Sequence, residues 1–391
     1  MPCGESIELR REGVMIIGVI KETLEGESRV AATPETVKKL IALKHTVYIE
    51  SNAGIGASIT DQMFIDAGGL IKSNADVFKA YLLLKVRAPN SREIEKLQIN
   101  QFIVGLLEPF NKELTTQLSA KKVTAFSLES LPRNTRAQSM DVLSSQANIA
   151  GYKAVILAAD YYKKFFPMLM TAAGTVKAAR IVILGAGVAG LQAIATAKRL
   201  GAAVEVSDVR PAVKEQIESL GAKFIDVPYE TEEEKNNASG KGGYAKPMPK
   251  SWLDRQSKLV AEKAIAADII ITSASIPGKE PPKLISKETI HQMKEGSIIV
   301  DLAAGLAMDG SGNCPLSEGN KIINVGGVTI IGLNNLPSLL STDASALYSR
   351  NIFEFIKLLI NDQGNLYINR EDELVAGALL TSEGNLINKE R

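Results

Sequence analysis

The stretch IVILGAGVAG, residues 181–190, is the most informative segment of this chain. Its four leading apolar residues predict a buried strand. The G-x-G-x-x-G pattern that follows leads into LQAIATAKRL, which has the period of a helix. Asp208 comes eighteen residues after the last glycine, at the end of a second apolar run over residues 203–207. Together these features predict a dinucleotide site, because such a turn lets the backbone approach a pyrophosphate and the helix N-terminus offers it unpaired N–H groups.

The carboxylate of Asp208 indicates which dinucleotide to expect. It can accept hydrogen bonds from an adenosine ribose and would repel a 2′-phosphate, which favours NAD over NADP. Arg210, two residues further on, weakens that preference slightly. A lone G-x-G-x-x-G more often marks a helix–strand turn without a ligand, but the strand, helix and acid together favour a binding site.

The composition excludes several classes of function. Lys and Arg number 45 against 44 Asp and Glu in 391 residues, and aromatic residues make up 5%, so neither charge nor stacking favours a nucleic-acid partner. Cys3 and Cys314 lack metal-ligand spacing and are too few for a disulfide framework, which suits a reducing cytoplasm. No run of eighteen apolar residues predicts a transmembrane segment, so we expect a soluble chain. Residues 1–14 lack the apolar core of a signal peptide, and we interpret them as a disordered extension or a misplaced start.

The order of apolar runs predicts an α/β fold with two Rossmann-like doubly wound parallel-sheet domains. In the first domain, strands are expected at Met15–Ile20, Thr46–Ser51, Leu82–Val86, Phe102–Leu107 and Val123–Ser127. In the second, they are expected at Ile181–Leu184, Ala203–Val206, Phe224–Val227, Ile269–Thr272, Ile298–Asp301 and Val328–Gly332. A long periodic helix at Ala344–Ile360 returns to the first domain. The second domain, which carries the G-x-G-x-x-G motif, is therefore expected as an insertion over 145–344, and the first covers 15–144 plus 345–391.

The polar segment Pro228–Lys250 separates the third and fourth strands of the second domain. It is rich in Gly, Pro and Asn and is too long for an ordinary helix–strand connection. Two interpretations remain equally open: a disordered insert, or a lid over the cofactor.

The chain has no convincing centre for proton transfer. A dehydrogenase that oxidises an alcohol, hydroxy acid or amino acid needs an acid–base group near the nicotinamide. His45 and His291 are the two histidines, and both are expected to be structural or solvated. No zinc cluster or nucleophilic cysteine stands out. Hydride exchange between two nicotinamides fits this combination, because it moves no proton and depends mainly on positioning.

A block of polar side chains, residues 131–148, follows the last predicted strand of the first domain, at the edge where α/β folds bind ligands. Arg133 can pair with a phosphate or carboxylate, and Gln138, Asp141 and Ser144 offer an amide, a carboxylate and a hydroxyl. The alternative is a polar hinge helix with a solvated face.

Several segments resemble the NAD(H)-binding component of proton-translocating NAD(P) transhydrogenases. They are MIIGVIKETLEGESRVAATPETVKKL, RAQSMDVLSSQANIAGYKAV, FPMLMTAAGTVKAARIVILGAGVAGLQAIATAKRLGA, SDVRPAVKEQIESLGAKF, GGYAKPM and SASIPGK. The resemblance covers nearly everything from Met15 to about residue 380. It implies Re/Si-specific hydride transfer from NADH on this chain to NADP⁺ on a separate NADP(H)-binding beta subunit, coupled to inward proton flow through a membrane-spanning subunit. It also implies a homodimer that is cytoplasmic and peripherally associated with the inner membrane through its partners.

The same resemblance assigns residues. Gln138 would orient the dihydronicotinamide toward the acceptor ring, Arg133 and Asp141 would brace the loop, and Tyr244 would close over the cofactor. Catalytic residues implied in this way are Arg133, Gln138, Asp141 and Ser144. Cofactor-binding residues are Arg133, Asn134, Thr135, Gln138, Asp141, Ser144, Gly185, Gly187, Val188, Gly190, Asp208, Val209, Arg210, Gly243, Tyr244, Gln256 and Ser275.

Two other functions compete with this interpretation. Alanine dehydrogenase shares the opening pattern with Lys21, Glu22 and Arg29, but that resemblance requires a catalytic histidine just after the strand at 102–107, where this chain reads GLLEP. A non-catalytic NAD-sensing module would need no hydride-transfer loop, and the block from Arg133 to Ser144 argues against it.

Overall fold

The computed structural model describes residues 14–238, 248–276, 278–361 and 363–387. The chain divides into two compact units, one of Met1–Gln146 with Ser338–Arg391 and the other of Ala147–Pro337. The boundaries thus follow residues 146 and 337, where the sequence suggested 144 and 344. The first boundary lies inside a helix that runs unbroken from Val142 to Tyr161, so no turn signal marks it. The expectation for residues 1–14 falls almost entirely outside the described ranges.

The strands and helices of the described residues are numbered in chain order. The strands are β1 Ile16–Val19, β2 Thr46–Glu50, β3 Leu70–Lys72, β4 Leu82–Leu84, β5 Phe102–Gly105, β6 Thr124–Ser127, β7 Leu169–Thr171, β8 Gly174–Val176, β9 Arg180–Leu184, β10 Ala203–Ser207, β11 Lys223–Phe224, β12 Ile269–Thr272, β13 Ile298–Asp301, β14 Ile322–Val325, β15 Val328–Ile331, β16 Leu379–Ser382 and β17 Asn385–Leu386. The α-helices are α1 Pro34–Ala42, α2 Asp61–Asp66, α3 Asn74–Val77, α4 Ser91–Lys96, α5 Lys112–Ala120, α6 Val142–Tyr161, α7 Val188–Arg199, α8 Lys214–Ser219, α9 Glu232–Ala238, α10 Lys250–Ala266, α11 Lys287–His291, α12 Ser341–Leu358 and α13 Glu373–Ala378.

The sheet of the first unit has the order β17-β16-β6-β5-β4-β1-β2-β3. Strands β1 to β6 are parallel, which confirms the predicted sheet class, and all five predicted strands are present. The sequence does not indicate β3, which is three residues long, or the antiparallel strands β16 and β17 at the edge. Those edge strands are short and lie in a mostly polar tail, so their alternation is too brief to distinguish from a loop.

The sheet of the second unit has the order β11-β10-β9-β12-β13-β15-β14. Without its last strand this is the order 3-2-1-4-5-6 of dinucleotide-binding folds, with the motif strand β9 between β10 and β12. The predicted Rossmann-like fold is therefore confirmed. Strand β11 is only Lys223–Phe224, shorter than predicted, and β14 adds an antiparallel edge that the sequence does not indicate.

The continuous apolar run of β9 is explained by helices on both faces of its sheet. Ile181 and Ile183 belong to one core, with Ala193 and Ile194 of α7. Val182 and Leu184 point to the opposite face and join the core that includes Val260 of α10. A strand buried on both faces reads as an unbroken apolar run, so IVIL needs no polar residue.

The two uncertain segments of the sequence have different outcomes. The helix expected at 344–360 is α12, Ser341–Leu358, within the first unit. In Pro228–Lys250, residues 232–238 form α9, while 239–247 lie outside the described residues. In the described ranges of the chain, none of the helices has both the length and the apolar character needed to cross a membrane.

Candidate dinucleotide site and polar block

The glycine turn between β9 and α7 has the geometry that a dinucleotide site requires. Gly185 has a φ of 101°, in the left-handed region that favours glycine. A Cβ on Gly190 would lie 1.9 Å from the carbonyl oxygen of Gly185, so only glycine lets the helix approach the strand this closely. The Ser273 hydroxyl, at the end of β12, donates to the same carbonyl over 3.0 Å. Strand, turn and helix are thus fixed to one another.

Gly187 differs from its two neighbours in the motif. Its φ of −73° is open to any residue, and a Cβ there would meet nothing within 4 Å. The fold therefore gives no reason for glycine at this position. Gly187 is the N-cap of α7 and offers no side chain to the first-turn N–H groups, and Val188 behind it is exposed. Open space in front of a helix N-terminus suits an anionic group, because the N–H groups and the helix dipole both point at it.

Asp208 lies beside this turn, as the spacing predicts. Its Oδ2 accepts a 2.7 Å hydrogen bond from the backbone N–H of Ala186. The backbone N–H and the Nε of Arg210 donate to Oδ1, and a terminal nitrogen of Arg210 donates to Oδ2, at 2.8–2.9 Å. The ribose acid therefore carries its own counter-ion, and Arg210 has a larger role than the sequence suggested.

The remaining predicted cofactor contacts of the second unit are only partly brought together. Gln256 of α10 donates from Nε2 to the Ser207 hydroxyl at the end of β10, over 3.2 Å, which places its side chain beside the ribose acid. Val209 packs against a neighbouring apolar cluster. Ser275 is exposed in the loop after β12, and among the described residues no hydrogen bond of its side chain links it to the turn. Gly243 and Tyr244 lie outside the described residues.

Two residues that support the turn escape sequence reasoning. Ser273 follows β12 directly, so its place at the carboxyl edge of a parallel sheet was the available signal. Asn313 is fully buried and fixes the backbone after it, accepting from the Ala274 N–H at 3.1 Å and donating to the Ala274 carbonyl at 2.8 Å. No local pattern marks Asn313, because its partner is 39 residues away.

In the first unit, the polar block surrounds a concavity of about 370 Å³ after β6. The predicted residues that line it are Arg133, Asn134, Thr135, Gln138 and Asp141. Ser144 does not line it; its N–H and hydroxyl donate to the carboxylate of Asp141 at 2.8 and 2.6 Å. Asp141 therefore fixes the start of α6. Gln138 is exposed, and within the described residues its side-chain amide makes no hydrogen bond.

The block is held in place by the C-terminal segment of the same unit. Asn134 accepts a hydrogen bond from the Ala137 N–H and donates to Glu373 over 2.8 Å. Arg136 pairs with Asp372 at 2.6 Å. These contacts restrain the backbone on both sides of Gln138, so the alternative of a merely solvated hinge does not describe this loop well.

Glu129 is a carboxyl group at the wall of this concavity that sequence reasoning overlooked. Burial raises its pKa, although the Ser127 hydroxyl and the Glu108 N–H donate to its Oε2. A carboxyl with a raised pKa in a concavity is a candidate acid–base group. The two histidines are elsewhere: His45 is buried before β2, where burial lowers its pKa, and His291 ends α11 at the surface.

The chain matches two family models over almost its whole length. Residues 18–150 match the alanine dehydrogenase/PNT N-terminal domain, and residues 154–389 match the alanine dehydrogenase/PNT C-terminal domain.

Individual relatives give the same result. The chain is 45% identical over 385 residues to the first segment of the divided NAD(P) transhydrogenase subunit alpha of Rhodospirillum rubrum, covering 96% of this chain and 98% of the relative. The crystal structure of transhydrogenase from Sinorhizobium meliloti matches with a TM-score of 0.81 and 42% identity, over 95% of this chain and 98% of that one. An L-alanine dehydrogenase structure matches with a TM-score of 0.78 and 25% identity, over 96% and 98%.

Proposed function

The chain belongs to the alanine dehydrogenase/PNT family, and we propose that it is the NAD(H)-binding component of a proton-translocating NAD(P) transhydrogenase. In this proposal NADH bound to this chain supplies a hydride to NADP⁺ on a separate NADP(H)-binding subunit. A membrane-spanning subunit couples the exchange to proton movement. The observation that carries the proposal is the glycine turn at 185–190, whose Gly187 keeps open a space that the fold does not need.

The second unit binds the ADP half of the cofactor. The N–H groups at the start of α7 donate to the pyrophosphate, which passes over Gly187. Asp208 accepts from the adenosine ribose, with Val209, Arg210 and Gln256 around it. The pairing of Asp208 with Arg210 means that rejection of a 2′-phosphate depends on shape as much as on charge.

The polar block of the first unit acts on the dihydronicotinamide. Gln138 is the residue we assign to orient the ring, because its amide is exposed, restrained at the backbone and not engaged by another described side chain. Arg133 lines the same concavity and offers a guanidinium to the polar end of the ligand. Asp141 and Ser144 position the loop through the α6 N-terminus and are positioning residues.

Partner subunits follow from the kind of relative that the chain resembles. The Rhodospirillum rubrum relative is named as one segment of a subunit alpha, which supports a role within a larger assembly. We propose that this chain forms a homodimer and associates peripherally with the inner membrane through those partners, on the cytoplasmic side.

The test of this function is reconstitution. The purified chain is expected to bind NADH, to show no activity toward alanine or pyruvate, and to catalyse NADH-to-NADP⁺ hydride exchange once an NADP(H)-binding transhydrogenase subunit is added. Oxidation of alanine by the chain alone would overturn the proposal. The structure favours the first outcome, because Leu107, just after β5, is fully buried and apolar.

The role of Gln138 has its own test. Gln138→Asn shortens the amide arm by one methylene, so the hydride-exchange rate is expected to fall at least about tenfold while the NADH Kd changes less than about threefold. Gln62→Asn is the matched control, because Gln62 is an exposed glutamine on α2 whose amide donates to Asp66. An equal loss of rate and affinity would make Gln138 a binding residue only.

A further inference from the structure

An aromatic cluster stands beside the end of β10 in the second unit. Its buried members are Val227, Met248 and Trp252. Val209, Tyr229 and Leu259 pack against them and remain partly exposed. Val209 directly follows Asp208, so the cluster lies behind the residues that we assign to the adenosine.

Within this cluster, Tyr229 and Trp252 form a stacked pair. Their ring centroids are 6.0 Å apart and the ring planes differ by 11°. Trp252 is 2% exposed, and its Nε1–H has no acceptor among the described residues. A buried donor without a partner is unfavourable, so the indole is retained at this position for its flat apolar surface.

The helix that carries Trp252 is anchored at both ends of this region. Gln256 of α10 donates to the Ser207 hydroxyl, which ties the helix to the end of β10. Arg255 pairs with Glu230 at 2.9 Å and Glu234 at 2.8 Å, which ties it to the segment that follows Tyr229. Trp252 is therefore held in a fixed relation to both Val209 and Tyr229.

Tyr229 also lies within the electrostatic reach of the ribose acid. Burial raises the pKa of its phenol, and the negative charges of Asp226 and Asp208 raise it further. A half-buried ring that is backed by an indole and close to the ribose acid has the position expected of an adenine wall.

We propose that Trp252 holds Tyr229 and Val209 as the two apolar walls of the adenine subsite, and that the Tyr229–Trp252 stack determines the affinity of this chain for adenosine ligands. The inference rests on the proposed NADH site in the second unit and adds two residues to it. Tyr229 contacts the base, and Trp252 is a positioning residue that acts through Tyr229 and Val209.

The experiment measures binding of AMP, NADH and reduced nicotinamide mononucleotide to the full chain by calorimetry. The variants are Tyr229→Ala, Trp252→Ala and Trp252→Phe. Tyr229→Ala and Trp252→Ala are expected to weaken AMP and NADH by about tenfold or more, because base–aromatic stacking contributes on that scale. The mononucleotide has no adenine, so its Kd should stay within about twofold. Trp252→Phe keeps a ring against Tyr229 and loses only an unpaired donor, so it should restore AMP affinity to within about threefold.

A structural role alone is separated by a control and by the chain's tryptophan. Phe166→Leu removes bulk from a buried aromatic at the opposite, amino edge of β9, where the Phe166 carbonyl accepts from the Ala179 N–H. It should lower the Tm without changing AMP affinity. Trp252 is the only tryptophan of the chain, so AMP should change its fluorescence.

The outcomes divide cleanly. Failure of the unmodified chain to bind NADH overturns the proposed function and this inference with it. Normal NADH binding by the unmodified chain, with an AMP Kd within about twofold in Tyr229→Ala, overturns the inference alone. Tyr229 is only half-buried, so this variant decides the matter even if Trp252→Ala does not fold.

Discussion

Replacing Gly187 with alanine separates what the fold needs from what the ligand needs. Among the described glycines whose Cβ would meet open space, Gly187 alone lacks a positive φ. A methyl group there costs the fold no more than about 1 kcal/mol, the difference between glycine and alanine as an N-cap. That cost corresponds to a Tm change of about 2–4 °C.

The same methyl group stands where we place the pyrophosphate. Forcing an extra carbon into an occupied contact costs about 1–3 kcal/mol. The NADH Kd of Gly187→Ala should therefore rise by about 5- to 150-fold. The measurement is titration of dihydronicotinamide fluorescence, together with thermal unfolding of the same sample.

Gly190→Ala is the matched comparison, because its Cβ would lie 1.9 Å from the backbone oxygen of Gly185. Backbone must move to relieve that clash, so the Tm should fall clearly, whether or not NADH is present. The reasoning is refuted if Gly187→Ala binds NADH as tightly as the unmodified chain, or if it loses as much thermal stability as Gly190→Ala.

Three further predictions concern titratable groups. Hydride exchange moves no proton, so Glu129→Gln should leave the pH profile of the exchange rate unchanged between about pH 5 and 8; loss of a titration step would make Glu129 an acid–base residue. Burial lowers the pKa of His45, so the unfolded chain binds the extra proton first, and stability should fall as pH drops below about 6.5; His45→Leu should remove that fall in urea unfolding at about pH 7.5 and 5.5. Lys85 is buried against Glu22 at 3.3 Å and Glu93 at 3.0 Å, so Lys85→Met should cost about 3–5 kcal/mol at about pH 8 and less at about pH 5, where the carboxyls take up protons; an equal loss at both pH values would mean that packing alone is involved.

The sequence was most reliable where one local pattern has one physical cause. IVIL followed by three spaced glycines predicts β9, the turn and α7, because burial on both faces and close backbone packing permit few other residues. The acid at 208 is found by counting, since it follows the end of the neighbouring parallel strand. Both depend on contacts between segments that are close along the chain.

What the sequence could not predict depends on distant partners. The 3-2-1-4-5-6 order of the first sheet is extended by β16, which pairs through Leu379 with Phe126 of β6, far earlier in the chain. The stack of Tyr229 on Trp252 and the bracing of Asn134 by Glu373 join residues that no spacing rule relates. For the polar block, the sequence identified the right edge of the sheet but not which side chains hold the loop and which face the concavity.

Asp208 illustrates how the structure changes the meaning of a correctly identified residue. A carboxylate offers about four lone-pair directions. In this chain four donors already use them, the N–H of Ala186 and three nitrogens of Arg210. A ribose hydroxyl can bind Asp208 only by sharing or displacing one of these, and the side-chain nitrogens of Arg210 are the donors that can swing away, since its guanidinium is partly exposed. Some of the ribose interaction is therefore offset by the loss of an ion pair, and Arg210 limits NADH affinity as well as weakening the charge barrier against a 2′-phosphate.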